Sequence, residues 1–468
     1  MSSVTIPDLP LDRESLLAEP ATICAWLQES DPARLSRLWE TADRVRRRYV
    51  GDEVFLRAII EFSNYCVRRC AYCGIRAPNT RLARYRMNPE EIAACAARAM
   101  DAGIRTIVLQ AGEDPALDAE WVAGVIRRVK SLGPVAITLS LGERSDEELL
   151  LWREAGADRY LLRFETSNPT LYGLYHPGRS DGRARSRVEM LHALRRLDYE
   201  VGSGVMIGLP GQTWADLAED LRLFAELDLD MIGCGPFILH PDTPLGDWAI
   251  AEREGLVAAI GQAYFGQNLS QTSEELQGLS RVAAAISEGA LGGEGVEEIR
   301  CFAGLRDLQP QQPNFLASPG CGYQESRKGM ADGRMPSALC GGETSAWPPS
   351  AGADQVPPDE LTTYKVIALA RILCPWANIP ATTALATLNP TMGRRLGLRR
   401  GANIIMPNFT PPHYRTDYQI YPGKAETLEN PDNTLAGILA ALAAENRPLG
   451  QGTGVSKNYL RRKGLLPA

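Results

Sequence analysis

The sequence predicts an α/β fold: a TIM-type (β/α)8 barrel with an N-terminal helical segment and a long, poorly ordered insertion between strands six and seven. Eight short apolar segments recur along the chain, and helix-like segments occupy most of the gaps between them. Eight such units complete a barrel of this type. A loop holding three cysteines directly follows the first predicted strand, which is where these barrels carry their sites.

Residues near 12–48 are predicted to be helical and to precede the barrel. The first strand, 54–63, is an apolar run that ends where the cysteine loop begins. A helix is predicted over 89–102, because Asn88 can cap it and Pro89 suits the first helical position. The remaining predicted strands are 104–110, 135–141, 159–165, 201–208, 230–237, 377–383 and 402–406, and further helices are predicted over 146–155, 187–197 and 214–227.

The connection between the sixth and seventh strands is much longer than the others. Within it, residues 270–357 are rich in Gly, Gln, Ser, Ala and Pro, so they bury too little apolar surface to offset the entropy of ordering. Cys301, Cys321 and Cys340 fall there at spacings typical of no metal site. The expected organisation is an N-terminal helical segment (1–48), the first part of the barrel (49–250), a flexible insertion (251–357), and the last part of the barrel with a C-terminal segment (358–468).

Composition limits the function classes. The chain has 468 residues, of which 44% are hydrophobic, and this is enough for a large core. The net charge of −7 and the lack of a basic block argue against nucleic acid as a partner. No apolar run approaches membrane-spanning length, and the first residues lack the features of a secretory signal. Ten cysteines in so long a chain do not form a disulfide framework, so we expect a cytoplasmic protein.

Cys66, Cys70 and Cys73 have the spacing C-x3-C-x2-C. Thiolates are soft ligands for iron, and three of them leave one iron of a [4Fe–4S] cube open. A zinc site would need a fourth ligand, which the nearby sequence does not offer. Three unliganded buried thiols are the other alternative. The spacing resembles the signature of the radical S-adenosylmethionine (SAM) enzymes, in which SAM binds the open iron and is cleaved to methionine and a 5′-deoxyadenosyl radical.

Polar residues at the ends of other predicted strands are candidates to bind SAM. Gln110 begins a Gln-Ala-Gly-Glu-Asp segment whose polar groups could accept hydrogen bonds from an ammonium, although the segment could also be an ordinary turn. Arg163 and Glu165 lie on one face of the fourth strand, since strand side chains alternate. The arginine could bind the SAM carboxylate, and the glutamate could accept from the ribose or the amine. The alternative is a structural ion pair.

A glycine-rich strand over 201–208 is the third candidate. Glycines within a strand let a flat ligand approach the backbone, and the apolar Val205 and Ile207 could contact an adenine face. Tyr72, directly before Cys73 of the cysteine motif, would bring its backbone near the adenine edge.

With these motifs in place, the chain resembles the HydE family of [FeFe]-hydrogenase maturation radical SAM proteins, relatives of biotin synthase and methylornithine synthase. The resemblance covers roughly residues 40–250 and 360–460, and the long segment between strands six and seven departs from the short connection typical of the family. The last cysteine is Cys374, so the second cluster that some relatives carry is not expected. The matching segments are 60–66, 70–76, 84–87, 108–110, 163–169, 205–213, 230–237, 240–245, 378–385, 401–408 and 421–424.

The resemblance implies a specific activity. The enzyme would cleave SAM reductively and use the radical on an organometallic iron complex that carries cysteine, carbon monoxide and cyanide, in assembly of the hydrogenase H-cluster. The implied partners are this small organometallic or amino-acid-derived substrate, other hydrogenase maturases, and an electron donor such as ferredoxin or flavodoxin.

The resemblance also implies roles for individual residues. The three cysteines would bind the [4Fe–4S] cluster, while Glu165 and Arg187, with Arg163 as a companion, would bind SAM. Residues at the ends of strands seven and eight would line the substrate cavity, and Tyr414 would close it. The cavity residues are Thr382, Thr383, Asn403 and Met406.

Two other functions stay open. A radical SAM mutase or synthase of the methylornithine or biotin type, acting on a small amino-acid-like substrate, would share the fold, the cluster and the SAM site. A non-catalytic iron–sulfur scaffold would share the cysteines alone, since a scaffold needs no adenine strand or carboxylate-binding arginine.

Overall fold

The computed structural model describes residues 9–177, 186–249, 348–425 and 431–466. The chain divides into two units, residues 1–243 with 348–468 and residues 244–347. Of the second unit only the helical residues 244–249 are described. The predicted insertion, up to residue 347, therefore lies outside the described residues.

The first unit contains the predicted barrel. Its strands are β1 (Phe55–Leu56), β2 (Ala58–Ser63), β3 (Thr106–Ala111), β4 (Ala136–Ser140), β5 (Arg159–Leu161), β6 (Glu200–Ser203), β7 (Met206–Ile207), β8 (Met231–Ile232), β9 (Gly235–Pro236), β10 (Pro380–Ala381) and β11 (Ile404–Ile405). Each of the eight predicted strands overlaps at least one of these elements, so the predicted fold class is confirmed.

All strand pairings within the sheets are parallel. Six strands pair in the order β2-β3-β4-β5-β6-β8, three more form a second sheet in the order β1-β11-β10, and β7 pairs with β9. Parallel bridges between Met231 and Asn378 and between Ile59 and Asn408 join the first two sheets. The eight predicted strands thus close into a ring whose carboxyl ends meet on one face.

Side-chain caps set the beginnings of several helices. Asn88 caps the helix after the cysteine loop as predicted, and it forms a capping box with Glu91. Ser186 and Glu189 do the same for the helix that starts at Arg187. The helices are α1 (Arg13–Ala18), α2 (Pro20–Gln28), α3 (Pro32–Tyr49), α4 (Pro89–Asp101), α5 (Ala119–Ser131), α6 (Asp146–Glu154), α7 (Pro169–Tyr175), α8 (Arg187–Arg196), α9 (Trp214–Glu226), α10 (Glu360–Leu373), α11 (Thr383–Leu388), α12 (Gly393–Arg399), α13 (Pro412–Arg415), α14 (Pro431–Ala444) and α15 (Lys457–Arg462).

None of the helices within the described ranges has the length and apolar character needed to cross a bilayer.

The segment between α14 and α15 covers the amino end of the barrel. The Thr453 carbonyl accepts hydrogen bonds from the Thr106 hydroxyl (2.7 Å) and from Nη2 of Arg159 (2.9 Å). Arg159 also pairs with Glu200 (2.9 Å), whose second oxygen accepts from the Ser456 amide (2.9 Å). These bonds satisfy buried polar and charged groups at the starts of three strands, and the opposite, carboxyl end is therefore the expected place for a site.

Residues 348–357, expected to be part of the insertion, are bound to the barrel unit. The Gln355 amide accepts from the Gly211 N–H (2.7 Å) and donates to the Leu209 carbonyl (3.0 Å). The Val356 N–H donates to the Gln212 carbonyl (2.9 Å). These contacts hold the loop that follows β7, so the described part of the barrel unit resumes at residue 348 rather than 358.

All eight barrel strands lie outside residues 244–347, and we therefore expect those residues to be dispensable for folding. Replacing residues 250–347 by a short Gly/Ser linker should leave a cooperatively unfolding protein, because closure entropy grows only logarithmically with loop length. Thermal unfolding followed by circular dichroism tests this. A matched variant that removes 250–357 should be less stable, since it also deletes the Gln355 contacts. Aggregation of the shorter deletion alone would contradict the prediction.

Candidate active site

The cysteine loop leaves the carboxyl end of β2. Cys66 and Cys73 are partly exposed, Cys70 is buried, and none of the three forms a disulfide. Burial raises the pKa of all three thiols: that of Cys66 is raised, that of Cys70 rises to about 11, and that of Cys73 rises further. The neighbouring thiols of the loop also raise the pKa of Cys70 and of Cys73. A metal centre would stabilise these thiols as thiolates.

The glycine after β3 allows this loop to pack against the strand end. A Cβ atom at Gly112 would lie 2.2 Å from the Tyr65 carbonyl oxygen, just before the first cysteine. Within the described ranges, no three His, Cys, Asp or Glu side chains form a group suited to a single metal ion. A [4Fe–4S] cube offers its irons at separate corners, so three cluster thiolates need not converge on one point.

Arg84 fastens both ends of the cysteine loop. Its guanidinium donates to the carbonyl of Asn64 (2.5 Å) before the cysteines and to the carbonyls of Ile75 (2.8 Å) and Arg76 (2.7 Å) after them. A fourth bond reaches the Asn79 carbonyl (3.2 Å). Its acceptors are neutral carbonyls, and its charge lies near the thiols of Cys66 and Cys73. Arg84 therefore both shapes the loop and places a positive charge beside it.

Replacing Arg84 by alanine is expected to loosen metal binding, because four carbonyls lose their donor. We expect the reconstituted Arg84→Ala protein to lose iron to a chelator several-fold faster than the wild type, with Arg84→Lys in between, since an ammonium cannot span the same acceptors. Iron release followed at about 400 nm would measure this. Arg127→Ala, on the surface of α5, is the control. Equal release from Arg84→Ala and the control would rule out this role.

Glu165 has a strained backbone at the end of the β5 segment. Its φ is 67°, which is uncommon for a residue other than glycine, and its N–H and carbonyl are bound by Gly204 and Met206 of the neighbouring strand (3.1 and 3.0 Å). Its buried carboxylate oxygen Oε2 lies 3.2 Å from Nη2 of Arg163, yet the angles satisfy no hydrogen bond. A strained residue with an unsatisfied buried oxygen is typical of a binding site.

Arg187, the first residue of α8, extends to the same place. Its Nη1 donates to the Arg163 carbonyl (2.6 Å), and its Nε donates to Glu143 (3.1 Å), which follows β4. Arg68 of the cysteine loop lies 3.2 Å from the same Glu143 oxygen and 3.9 Å from Glu113. Two of its buried nitrogens, Nε and Nη1, have no hydrogen-bond partner. The predicted residues Arg163, Glu165 and Arg187 are thus brought together beside the cysteine loop.

A buried histidine supports Tyr72. The Tyr72 hydroxyl lies 2.6 Å from Nε2 of His176, and the Tyr172 ring stacks on the other side of the imidazole at 4.4 Å between centroids. Burial lowers the pKa of His176 well below its usual value, and the charges of Arg187 and Arg68 lower it further. A neutral imidazole therefore holds Tyr72 against α7.

A second polar group lies at the carboxyl ends of β2 and β3. Glu61 is buried and pairs with Lys424, and its other oxygen accepts from the Asn408 amide (2.9 Å). Gln110 donates to the Tyr418 hydroxyl (3.3 Å), and the Lys424 ammonium lies 5.2 Å from the centre of that tyrosine ring. Gln110 thus belongs to this second polar group. The group contains a carboxylate and an ammonium, which suit a substrate that carries one positive and one negative charge.

The glycines of the strand predicted over 201–208 have a different explanation from the one expected. A Cβ atom at Gly204 would lie 1.8 Å from the Gly233 carbonyl oxygen, and one at Gly202 would lie 2.7 Å from the Met231 side chain. Glycine is therefore required here by the adjacent strand. Val205 and Ile207 are fully buried, and the Val205 carbonyl accepts a hydrogen bond from Arg163.

Among the predicted substrate residues, Thr382, Thr383 and Met406 follow the carboxyl ends of β10 and β11. The Thr382 hydroxyl is buried without a hydrogen-bond partner, and a Cβ atom at Gly235 would lie 3.6 Å from it. A buried hydroxyl of this kind is available for a ligand.

Asn403 and Tyr414, the other two predicted substrate residues, lie in different parts of the barrel. Asn403 precedes β11 and so lies at the amino end of the barrel, where its amide bonds Arg371 (3.0 Å) and Asn378 (2.9 Å). Tyr414 stacks on Tyr85 at 4.5 Å and donates to Glu91 of α4 (3.0 Å). Asn403 is therefore remote from the carboxyl-end site, whereas Tyr414 packs on Tyr85, whose hydroxyl donates to the carbonyl of Glu61 in the second polar group (2.7 Å).

Several functional candidates were absent from the sequence prediction, among them Glu61, Glu143, His176 and Lys424. Glu143, His176 and Lys424 lie 70 or more residues away from the cysteines along the chain, and their positions depend on barrel closure. Two sequence signals were present: Glu143 follows a predicted strand, and Lys424 lies in a segment that matches the family.

A cleft of about 560 Å3 opens beside the cysteine loop, and its lining includes Val67, Glu113, Glu143 and Met190. Its volume lies in the range of ligand sites. Two of its lining carboxylates contact Arg68, so the cleft connects the surface with the charged residues around the cysteine loop.

Comparison with known proteins relates this site to studied ones. Residues 60–224 match the model of the radical SAM superfamily. The chain is 37% identical over 420 residues to the [FeFe] hydrogenase maturase subunit HydE of Thermotoga maritima, covering 90% of this chain and 88% of that protein. It is 29% identical over 272 residues to 3-methylornithine synthase of Methanosarcina acetivorans, covering 57% of this chain and 76% of that enzyme.

Solved structures share the fold. The crystal structure of methylornithine synthase (PylB) superposes with a TM-score of 0.61 at 20% identity and covers 97% of this chain and 99% of that one. The maturase HydG of Carboxydothermus hydrogenoformans gives a TM-score of 0.60 at 15% identity, covering 92% and 77%.

Proposed function

Because the chain belongs to the radical SAM superfamily and, within it, to the HydE family of [FeFe] hydrogenase maturases, we propose that it is a SAM-cleaving enzyme of H-cluster assembly. Its proposed substrate is an organometallic iron complex that carries cysteine, carbon monoxide and cyanide. The observation that carries the proposal is the three-cysteine loop beside the strained, unsatisfied carboxylate of Glu165.

The residues present fit a [4Fe–4S] cluster and SAM. Cys66, Cys70 and Cys73 are free thiols in one loop, and two nitrogens of Arg68 and one oxygen of Glu165 are buried without hydrogen-bond partners beside it. When bound, the cluster supplies the electron that cleaves SAM to methionine and a 5′-deoxyadenosyl radical.

The protein's own contribution is to bind and orient. The guanidinium groups of Arg187 and Arg163 are suited to the SAM carboxylate, and Glu165 can accept from a hydroxyl or an ammonium. At the second polar group, Lys424 and Glu61 offer opposite charges to the amino-acid part of a substrate. The Thr382 hydroxyl offers one further donor. Coverage of the amino end of the barrel helps to exclude competing hydrogen donors from that side.

A mutase or synthase acting on an amino acid is the second candidate. The similarity to 3-methylornithine synthase and the buried Glu61–Lys424 pair both favour an amino-acid-like substrate. Incubating the reduced enzyme with SAM and either a panel of free amino acids or the iron–cysteine complex would separate the two, because only the true substrate should accelerate formation of 5′-deoxyadenosine.

An assembly assay tests the proposed function. Unmatured [FeFe] hydrogenase, the other maturases, SAM and reductant are combined with or without this protein. We expect hydrogen evolution only when the wild-type chain is present, and none with Cys73→Ala. Full activation by the double variant Glu165→Ala/Arg187→Ala, which should keep its cluster but lose SAM binding, would support the non-catalytic scaffold instead, because a scaffold needs the cysteines and not SAM.

A further inference from the structure

The segment that holds the three cysteines is strongly basic in an otherwise acidic protein. Residues 62–89 contain six arginines and no aspartate or glutamate, while the whole chain carries a net charge of −7. The arginines are Arg68, Arg69, Arg76, Arg81, Arg84 and Arg86.

Four of these arginines, which we call the arginine face, belong to one hydrogen-bonded loop: Arg69 and Arg81 are exposed, and Arg76 and Arg84 lie partly buried behind them. Arg76 donates to the Arg69 carbonyl (3.1 Å), and Arg84 donates to the Arg76 carbonyl (2.7 Å). The Arg81 N–H donates to the side chain of Asn79 (3.1 Å), and the backbone carbonyl of Asn79 accepts from Arg84 (3.2 Å). The four residues are therefore linked within the loop that holds the cysteines.

The charge of this face is only partly compensated. Arg69 is exposed, the Arg81 side chain is 79% exposed, and Arg81 pairs with Asp242. The four bonds of Arg84 described above go to neutral carbonyls, which leave its charge in place. By contrast, Arg68 pairs with Glu143 and lies beside buried Glu113, and Arg86 pairs with buried Asp114, so these two do not belong to the face.

We propose that the arginine face is the docking surface for a small acidic electron-transfer protein. This inference rests on the proposed function, in which the cluster must receive one electron before SAM is cleaved. The reduced carrier loses one electron, the oxidised cluster gains it, and no atom is transferred. Opposite charge would orient the carrier on the loop that holds the cluster ligands, and such transient complexes need only a small interface.

Binding of a strongly acidic flavodoxin, and of an acidic [2Fe–2S] ferredoxin, tests the proposal. We compare Arg69→Glu/Arg81→Glu with Arg47→Glu/Arg127→Glu, whose side chains are 66% and 55% exposed on α3 and α5. Both doubles change the net charge by −4. At about 0.01 M salt, where charges interact over roughly 30 Å, we expect the first double to weaken carrier binding at least about tenfold and the control double much less. The difference should vanish near 1 M salt.

A second readout separates this inference from the proposed function. Iron content and reduction by dithionite report on the cluster itself, and both should be unchanged in Arg69→Glu/Arg81→Glu, while its reduction by flavodoxin slows about tenfold. Equal weakening by the two doubles, or no binding of either carrier to the wild type, would overturn the docking surface. If the reconstituted wild-type protein bound no iron, or if dithionite did not reduce its cluster, the proposed function would be refuted instead.

Discussion

Replacing Cys66, Cys70 or Cys73 by alanine is expected to abolish the iron–sulfur cluster and with it all SAM cleavage. Each cysteine supplies one of only three thiolates, and no other described Cys, His, Asp or Glu group forms an alternative metal site. The loss should be complete rather than graded, because two thiolates cannot hold a [4Fe–4S] cube stably. Iron and sulfide content after anaerobic reconstitution measures the effect.

The controls use the other cysteines. Cys24→Ala removes a partly exposed thiol of α2, and the triple alanine variant of Cys301, Cys321 and Cys340 removes those of the 251–357 segment. Both should retain close to one cluster per chain. If the triple variant lost its iron while Cys66→Ala retained it, the ligand assignment would be wrong.

Replacing Glu165 should reduce SAM affinity without damaging the fold. A lost charge-assisted contact costs about 1.5–3 kcal/mol, which is roughly tenfold to a hundredfold in affinity. We expect this loss in Glu165→Ala and Glu165→Gln, and a similar one in Arg187→Ala, with the cluster spectrum largely preserved. Equilibrium binding of SAM to the reconstituted protein measures it.

Glu165→Gly distinguishes a binding role from a structural one. Glycine adopts the observed φ of 67° without the cost of about 1–2 kcal/mol that other residues incur. The variant should therefore be as stable as the wild type or slightly more so, although it binds SAM as weakly as Glu165→Ala. A clear loss of thermal stability together with unchanged SAM affinity would show that Glu165 serves only the fold.

The sequence predicted the parts of the molecule that depend on local pattern. Apolar segments identified all eight strands, and Asn88 marked the start of α4, because strand burial and helix capping depend on neighbouring residues. The C-x3-C-x2-C spacing identified the loop for the same reason. Arg163 and Glu165 lie 3.2 Å apart, but strand alternation is not the cause, because β5 ends at Leu161 and Glu165 has a left-handed backbone.

The remaining features depend on contacts between distant segments. The positive φ of Glu165 cannot be inferred from composition, and Lys424 reaches Glu61 only through barrel closure. Asn403 was expected at the site, yet it begins its strand and therefore belongs to the opposite end. Gly204 was attributed to a ligand, whereas the adjacent strand requires it. A glycine within a strand indicates that something packs close to the backbone, but the sequence does not tell whether that is a ligand or another strand.

Reductive cleavage of SAM tests the central claim most directly. Anaerobically reconstituted protein is reduced and incubated with SAM, and 5′-deoxyadenosine and methionine are quantified against the Cys73→Ala variant. We predict that the wild-type protein forms both products in equal amounts, even slowly without substrate, and that the variant forms neither. A wild-type protein that binds its full cluster but releases no 5′-deoxyadenosine, with or without the iron–cysteine complex, would contradict the assignment as a radical SAM maturase.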